Sequence, residues 1–127
     1  MITVYLERLK ALRDIGFPLA AKRKKQRRLN FDRHMSPKGR SGCLLGWWAT
    51  TEYAKRDGWT IVESHYIFAR GDRIPSYNNK QGPWAVGEYF GLGGEDTCCI
   101  FGDRHYGSLG DRLDYLNQVI TDMETQV

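Results

Sequence analysis

The chain has 127 residues, 41% hydrophobic and 27% charged, a balance that fits one folded core and excludes a disordered polymer. Its net charge of +4 conceals an asymmetry: residues 1–40 carry twelve Lys/Arg against three acids, and residues 41–127 carry seven against twelve. No apolar run approaches the roughly 20 residues that span a bilayer, and the opening MITVYLERLK lacks the order of a secretory signal. A cytoplasmic setting without a membrane partner is therefore expected. Three cysteines, two of them adjacent, form no disulfide framework, so reduced thiols are expected too.

Ile2, Tyr5, Leu6, Leu9 and Leu12 recur at helical spacing and predict an amphipathic first helix, stopped by Gly16 and Pro18. Leu19 to Arg28 reads as a second helix, strongly basic and without an apolar stripe, favoured by Ala20, Ala21 and long unbranched side chains. Leu29 and Phe31 lie in a short extended piece that leads into the loop SPKGRSG. Ser41 is the predicted N-cap of a central helix from about Gly42 to Asp57, closed by Gly58. Leu44, Leu45, Trp47, Trp48, Tyr53 and Ala54 occupy too many of its faces for a surface helix.

WTIVESHYIFAR is rich in β-branched and aromatic residues and predicts a strand, turning through RGDR into a second strand, RIPSYN, which Pro75 assigns to a sheet edge. After the loop NNKQGP, WAVGEYFGL and EDTCCIF predict two short helices separated by Gly93 and Gly94. The closing helix starts at Ser108, paired with Asp111, and is expected to dock through Leu109, Leu113, Leu116, Ile120 and Met123. The expected fold class is α+β, a mostly helical single domain over residues 1–127 with a small antiparallel β-hairpin and a basic segment at 19–28.

Cys43 opens the central helix, where the helix dipole lowers a thiol pKa and a histidine alongside would complete a nucleophile and base; His34, His65 and His105 are the candidates. The apolar run after it, Leu44, Leu45, Trp47 and Trp48, argues for burial instead, which raises a thiol pKa. Packing is the favoured role, and Cys43→Ser is expected to bury an unsatisfied hydroxyl. Cys98 and Cys99 with His105 invite a zinc reading, but neighbouring helical side chains diverge by about 100° and no second Cys-x-x-Cys exists. GLGGED resembles a phosphate loop, yet Glu95 and Asp96 would repel a phosphate there. Arg70-Gly71-Asp72 is read as turn chemistry. No catalytic residue, metal or cofactor is expected.

The remaining candidate is the run Lys22, Arg23, Lys24, Lys25, Arg27 and Arg28. Six cations in seven residues suit phosphates, and counterion release would give them sequence-independent affinity for nucleic acid. The run lacks the aromatic interleaving of a single-strand stacking platform. A solvated face, or a helix that docks on the chain's own acidic surface, is the competing explanation.

The succession LNFDRHM, GCLLGWWA, AVGEYFGL, CCIFGDRHYG and DRLDYLNQVI resembles a loose group of small uncharacterised phage and bacterial proteins. Members similarly place a Phe-Asp-Met segment before a Cys-x-x-Gly-Trp or Cys-x-x-Gly-His helix, then Phe-Phe-Gly-Leu, Leu-Phe and a final helix. The resemblance covers about residues 29–120. This chain departs from it by separating Phe31-Asp32 from Met35 and by holding one cysteine where relatives often have two. The resemblance implies a mobile-element origin and a shared scaffold, and no reaction. The function expected is that of a non-enzymatic accessory protein whose basic segment binds a host protein or nucleoprotein complex, as an anti-CRISPR-like inhibitor or host-takeover factor would. A plain nucleic-acid-binding module and a Cys43-dependent hydrolase or transferase are the alternatives.

Overall fold

A computed structural model describes residues 2–64 and 72–126. It is mostly helical, with a three-stranded antiparallel sheet. The predicted strand over 65–70 and most of its RGD turn lie outside the described residues, as does His65.

The first helix does not stop at Gly16. α1 (Ile2–Ala11) passes through a π-helical turn, Leu12–Gly16, straight into α2 (Phe17–Lys25). The Phe17 N–H reaches back five residues to the Leu12 carbonyl. That wider turn accommodates Pro18, which has no N–H and whose ring would strike the carbonyl four residues back in an α-helix. Gly16 permits close approach: a Cβ there would lie 2.9 Å from the Leu12 side chain and 3.2 Å from the Trp48 ring.

The predicted central helix is two helices, α3 (Leu44–Ala49) and α4 (Glu52–Arg56). Two successive threonines break it. The Thr50 and Thr51 hydroxyls donate to the carbonyls of Trp47 and Trp48 at 2.6 and 2.8 Å, and Thr51 Oγ1 accepts from the Ala54 N–H, capping α4. The cap of α3 is Cys43, not Ser41.

In the sheet, β1 (Thr60–Glu63), β2 (Arg73–Tyr77) and β3 (Lys80–Gln81) lie in that order, so Pro75 sits in the middle strand rather than at an edge. Asn78 and Asn79, at φ of 53° and 64°, make the two-residue turn that adds β3 within the predicted loop. Pro75 is tolerated because the Gly82 carbonyl, the acceptor its missing N–H would have met, takes the Val86 N–H as the chain enters α5 (Pro83–Phe90).

The core forms where α1, α3, α5, α6 (Gly94–Phe101) and α7 (Leu109–Glu124) meet around Trp48, Trp59, Tyr89 and Phe90. Tyr89 stands edge-on to Trp59, with ring centroids 5.4 Å apart, and its hydroxyl donates to Asp57 at 2.6 Å. α7 starts with the expected reciprocal Ser108–Asp111 box. It buries Leu116 and Ile120 fully and packs Leu109, Leu113 and Met123 at the core's margin.

Candidate functional site

Residues 29–36 form a strap laid across the start of α3. Its backbone bonds to Gly42 through Asn30, and the His34 carbonyl takes the Cys43 N–H at 3.2 Å. Gly42 and Gly46 make this possible, because a Cβ on either would collide with that carbonyl oxygen. Met35 is buried against both glycines. Trp47 Nε1 donates to the Arg28 carbonyl at 2.9 Å, Phe31 lies under the Arg112 guanidinium at 3.6 Å, and Asp32 accepts from the Arg104 N–H. His34 and Met35 therefore lock the strap to the start of α3, while Phe31 and Asp32 tie it to Arg112 and Arg104.

Cys43 lies inside this lock, 2% exposed. Its sulfur accepts from the Gly46 N–H at 3.4 Å and sits 3.5 Å from His34 Nδ1. Of the two candidate histidines among the described residues, His34 lies beside it and His105 is exposed on the 3₁₀ turn Arg104–Tyr106. Burial pushes the Cys43 thiol up, against the lowering effect of the Gly46 N–H, and burial likewise pushes His34 down. Both groups are held neutral, the reverse of the thiolate–imidazolium pair a nucleophile requires. The thiol's role here is that of a helix cap. The hydroxyl of a Cys43→Ser variant would face the Gly46 N–H, His34 Nδ1 and the His34 carbonyl, which lie 3.4, 3.5 and 3.7 Å from the sulfur.

Cys98 and Cys99 follow each other on α6, and among the described residues no three of His, Cys, Asp and Glu are grouped to hold a metal ion. α6 has no side-chain cap, and its first turn carries Glu95 and Asp96, the latter accepting from the Tyr115 hydroxyl at 2.6 Å. In GLGGED, Gly91, Leu92 and Gly93 connect α5 to α6, and Gly94, Glu95 and Asp96 begin α6.

The basic run divides into two sets. Arg23 and Arg28 stack on the Trp47 ring at 4.7 and 5.1 Å, and Arg28 also donates to the carbonyls of Arg40 and Gly39. Lys22, Lys24, Lys25 and Arg27 are exposed, and no described acid forms an ion pair with any of the six. α2 ends in a paired-bond turn, the Arg28 N–H reaching the Arg23 carbonyl and the Arg27 N–H that of Lys24, with Arg27 at φ 60°. Glycine adopts that conformation freely and arginine does not.

One buried cation was not anticipated. Arg112, fully buried on α7, donates to the carbonyls of Ile100, Gly102, Asp103 and Gly107 and so ties the end of α6 and the following loop to α7. Its signal was available: Arg112 is a lone charge on the helix face that carries Leu109, Leu116 and Ile120.

No protein-family model, no curated protein and no solved structure matches the chain.

Proposed function

We propose that the protein is a non-enzymatic accessory protein of mobile-element type that binds a host nucleoprotein or defence machine through the end of α2. The observation that carries this reading is the set of four exposed cations, Lys22, Lys24, Lys25 and Arg27, unpaired with any described acid, on a chain whose other residues balance at fifteen Lys/Arg against fifteen acids. Clustered charges free of internal partners are available to phosphates, while Arg23 and Arg28, held on Trp47, fix the surface that presents them. Arg27 adds support. Its left-handed backbone costs about 1 kcal/mol relative to glycine, and a strained residue that keeps its charge fits a binding role. The neutral, buried Cys43–His34 pair supports the same non-enzymatic assignment.

The test is capture from bacterial lysate by the wild-type chain and by a variant with Lys22, Lys24, Lys25 and Arg27 all changed to Gln, each with and without nuclease. The expected result is a defined set of proteins held by the wild type, reduced but not abolished by nuclease, and absent with the variant. Complete loss on nuclease treatment would identify a plain nucleic-acid-binding module. Equal capture by wild type and variant would remove α2 as the binding surface.

A further inference from the structure

Between the start of α5, the length of α6 and the strap lies a pocket of about 310 Å³. Leu45, Val86 and Phe101 form much of its wall, and Trp84 stands at it with 67% of its surface exposed. That exposure is the largest among the big hydrophobic side chains described, and an indole left in water beside an apolar hollow is a contact surface without its partner.

His34 also lines the pocket. Its Nδ1 is occupied by the Cys43 sulfur, which leaves Nε2 at the opposite edge of the ring, where a Cβ on Gly82 would lie 3.6 Å away. The hydrogen bonds of His34 among the described residues run through Nδ1 and the backbone. The buried thiol keeps its proton and has two acceptors within reach, Nδ1 at 3.5 Å and the His34 carbonyl at 3.7 Å; with the proton given to Nδ1, the imidazole proton stands on Nε2 as a donor. No Lys or Arg lines the pocket, and Glu95 and Asp96 stand in the first turn of α6 next to lining residue Gly94. Anions are therefore disfavoured, and a cation would meet no carboxylate in the wall. The volume admits roughly ten to fifteen non-hydrogen atoms, the lower end of ligand pockets.

We propose that this pocket is a binding site for an uncharged, flat aromatic molecule with one hydrogen-bond acceptor, its rings against Trp84 and Phe101 and its acceptor on His34 Nε2.

Quinoline, neutral at neutral pH, is the probe; naphthalene has its shape without the acceptor, and naphthalene-2-sulfonate adds a charge. Binding to the full chain is followed by ligand-observed NMR titration. The expected result is saturable quinoline binding, about tenfold tighter than naphthalene, with the sulfonate weakest. Trp84→Ala, at an exposed position that leaves the core intact, should weaken quinoline and naphthalene alike. His34→Phe should bring their affinities together. Quinoline should also slow alkylation of Cys98, which lines the pocket, and not of Cys99. Absence of saturation, equal affinity for all three probes, or binding indifferent to Trp84→Ala would each overturn the proposal. Should His34→Phe fail to fold, the Trp84 variant and Cys98 protection decide it.

Discussion

The sulfur of Cys43 lies 3.5 Å from Nδ1 of His34 and takes the Gly46 N–H at 3.4 Å, so one thiol caps α3 and orients the imidazole beside it. Serine is a preferred N-cap and can make the same bonds. Cys43→Ser should therefore change stability by less than about 1 kcal/mol, while Cys43→Ala, which removes the cap and leaves a void, should cost about 2 kcal/mol. Urea denaturation of the two variants checks this, and equal losses would contradict the capping role.

His34 makes stability pH-dependent. Its folded pKa is depressed by burial, with the charge of Asp72 opposing and the Cys43 thiol beside it neutral. The unfolded chain then binds a proton that the folded chain refuses, so stability is full above the unfolded value near 6.5 and falls as the pH drops below it. The fall levels off once the pH passes the lower, folded value. Thermal melts from neutral to mildly acidic pH should show this component in the wild type and not in His34→Phe. Superimposable profiles would assign the acid sensitivity to carboxylates instead.

Two glycines should respond oppositely to alanine. A methyl group on Gly46 would run into the His34 carbonyl oxygen, which is fixed by its bond to the Cys43 N–H, so Gly46→Ala should cost about 3 kcal/mol. At Gly110, in the first turn of α7, the nearest atom to an added Cβ is 3.7 Å away, and Gly110→Ala should stabilise by about 0.5–1 kcal/mol. Chemical denaturation of the pair separates close approach from mere backbone freedom.

Arg112 has carbonyls, not a carboxylate, for partners. Arg112→Met fills similar space and leaves buried acceptors unpaired at the end of α6, so a loss of about 3 kcal/mol is expected. Lysine, with one ammonium for a planar fork, should recover only part of it. Full stability in the methionine variant would mean that water replaces the guanidinium without penalty.

Replacing Lys22, Lys24, Lys25 and Arg27 with Gln should leave the melting temperature nearly unchanged, since these side chains are exposed and glutamine keeps helix propensity. Affinity for duplex DNA or RNA should drop across all sequences, and the logarithmic salt slope should fall by ~0.9 for each duplex phosphate that is no longer neutralised. Arg28 belongs outside this set, because its guanidinium holds the Gly39 and Arg40 carbonyls and its removal would confuse folding with binding. Unchanged affinity and slope would make the run a solvated face. Arg27→Gly is the companion measurement, expected to gain stability through the φ 60° turn while giving up one cation of the binding surface.

What the amino-acid order determined alone was local. The α7 stripe and its Ser108–Asp111 box, the burial of Cys43 by the apolar residues after it, and the concentration of cations at 22–28 all depend on neighbours within a few positions, where helical geometry relates one side chain to the next. Tertiary structure decided what depends on distant partners. Pro75 entered the middle strand because Gly82 had another donor for its carbonyl, and helix continued past Pro18 because a π turn removed the clash. Cys43 rather than Ser41 became the cap because the His34 backbone came to lie against two glycines. Which cations were free and which stacked on Trp47, and that His34 would stand with one nitrogen on a thiol and its ring at an apolar pocket, required the strap, α2 and α3 to be packed together first. Periodicity and capping are written into short windows of sequence, whereas the meeting of elements far apart in the chain is set by how their faces fit.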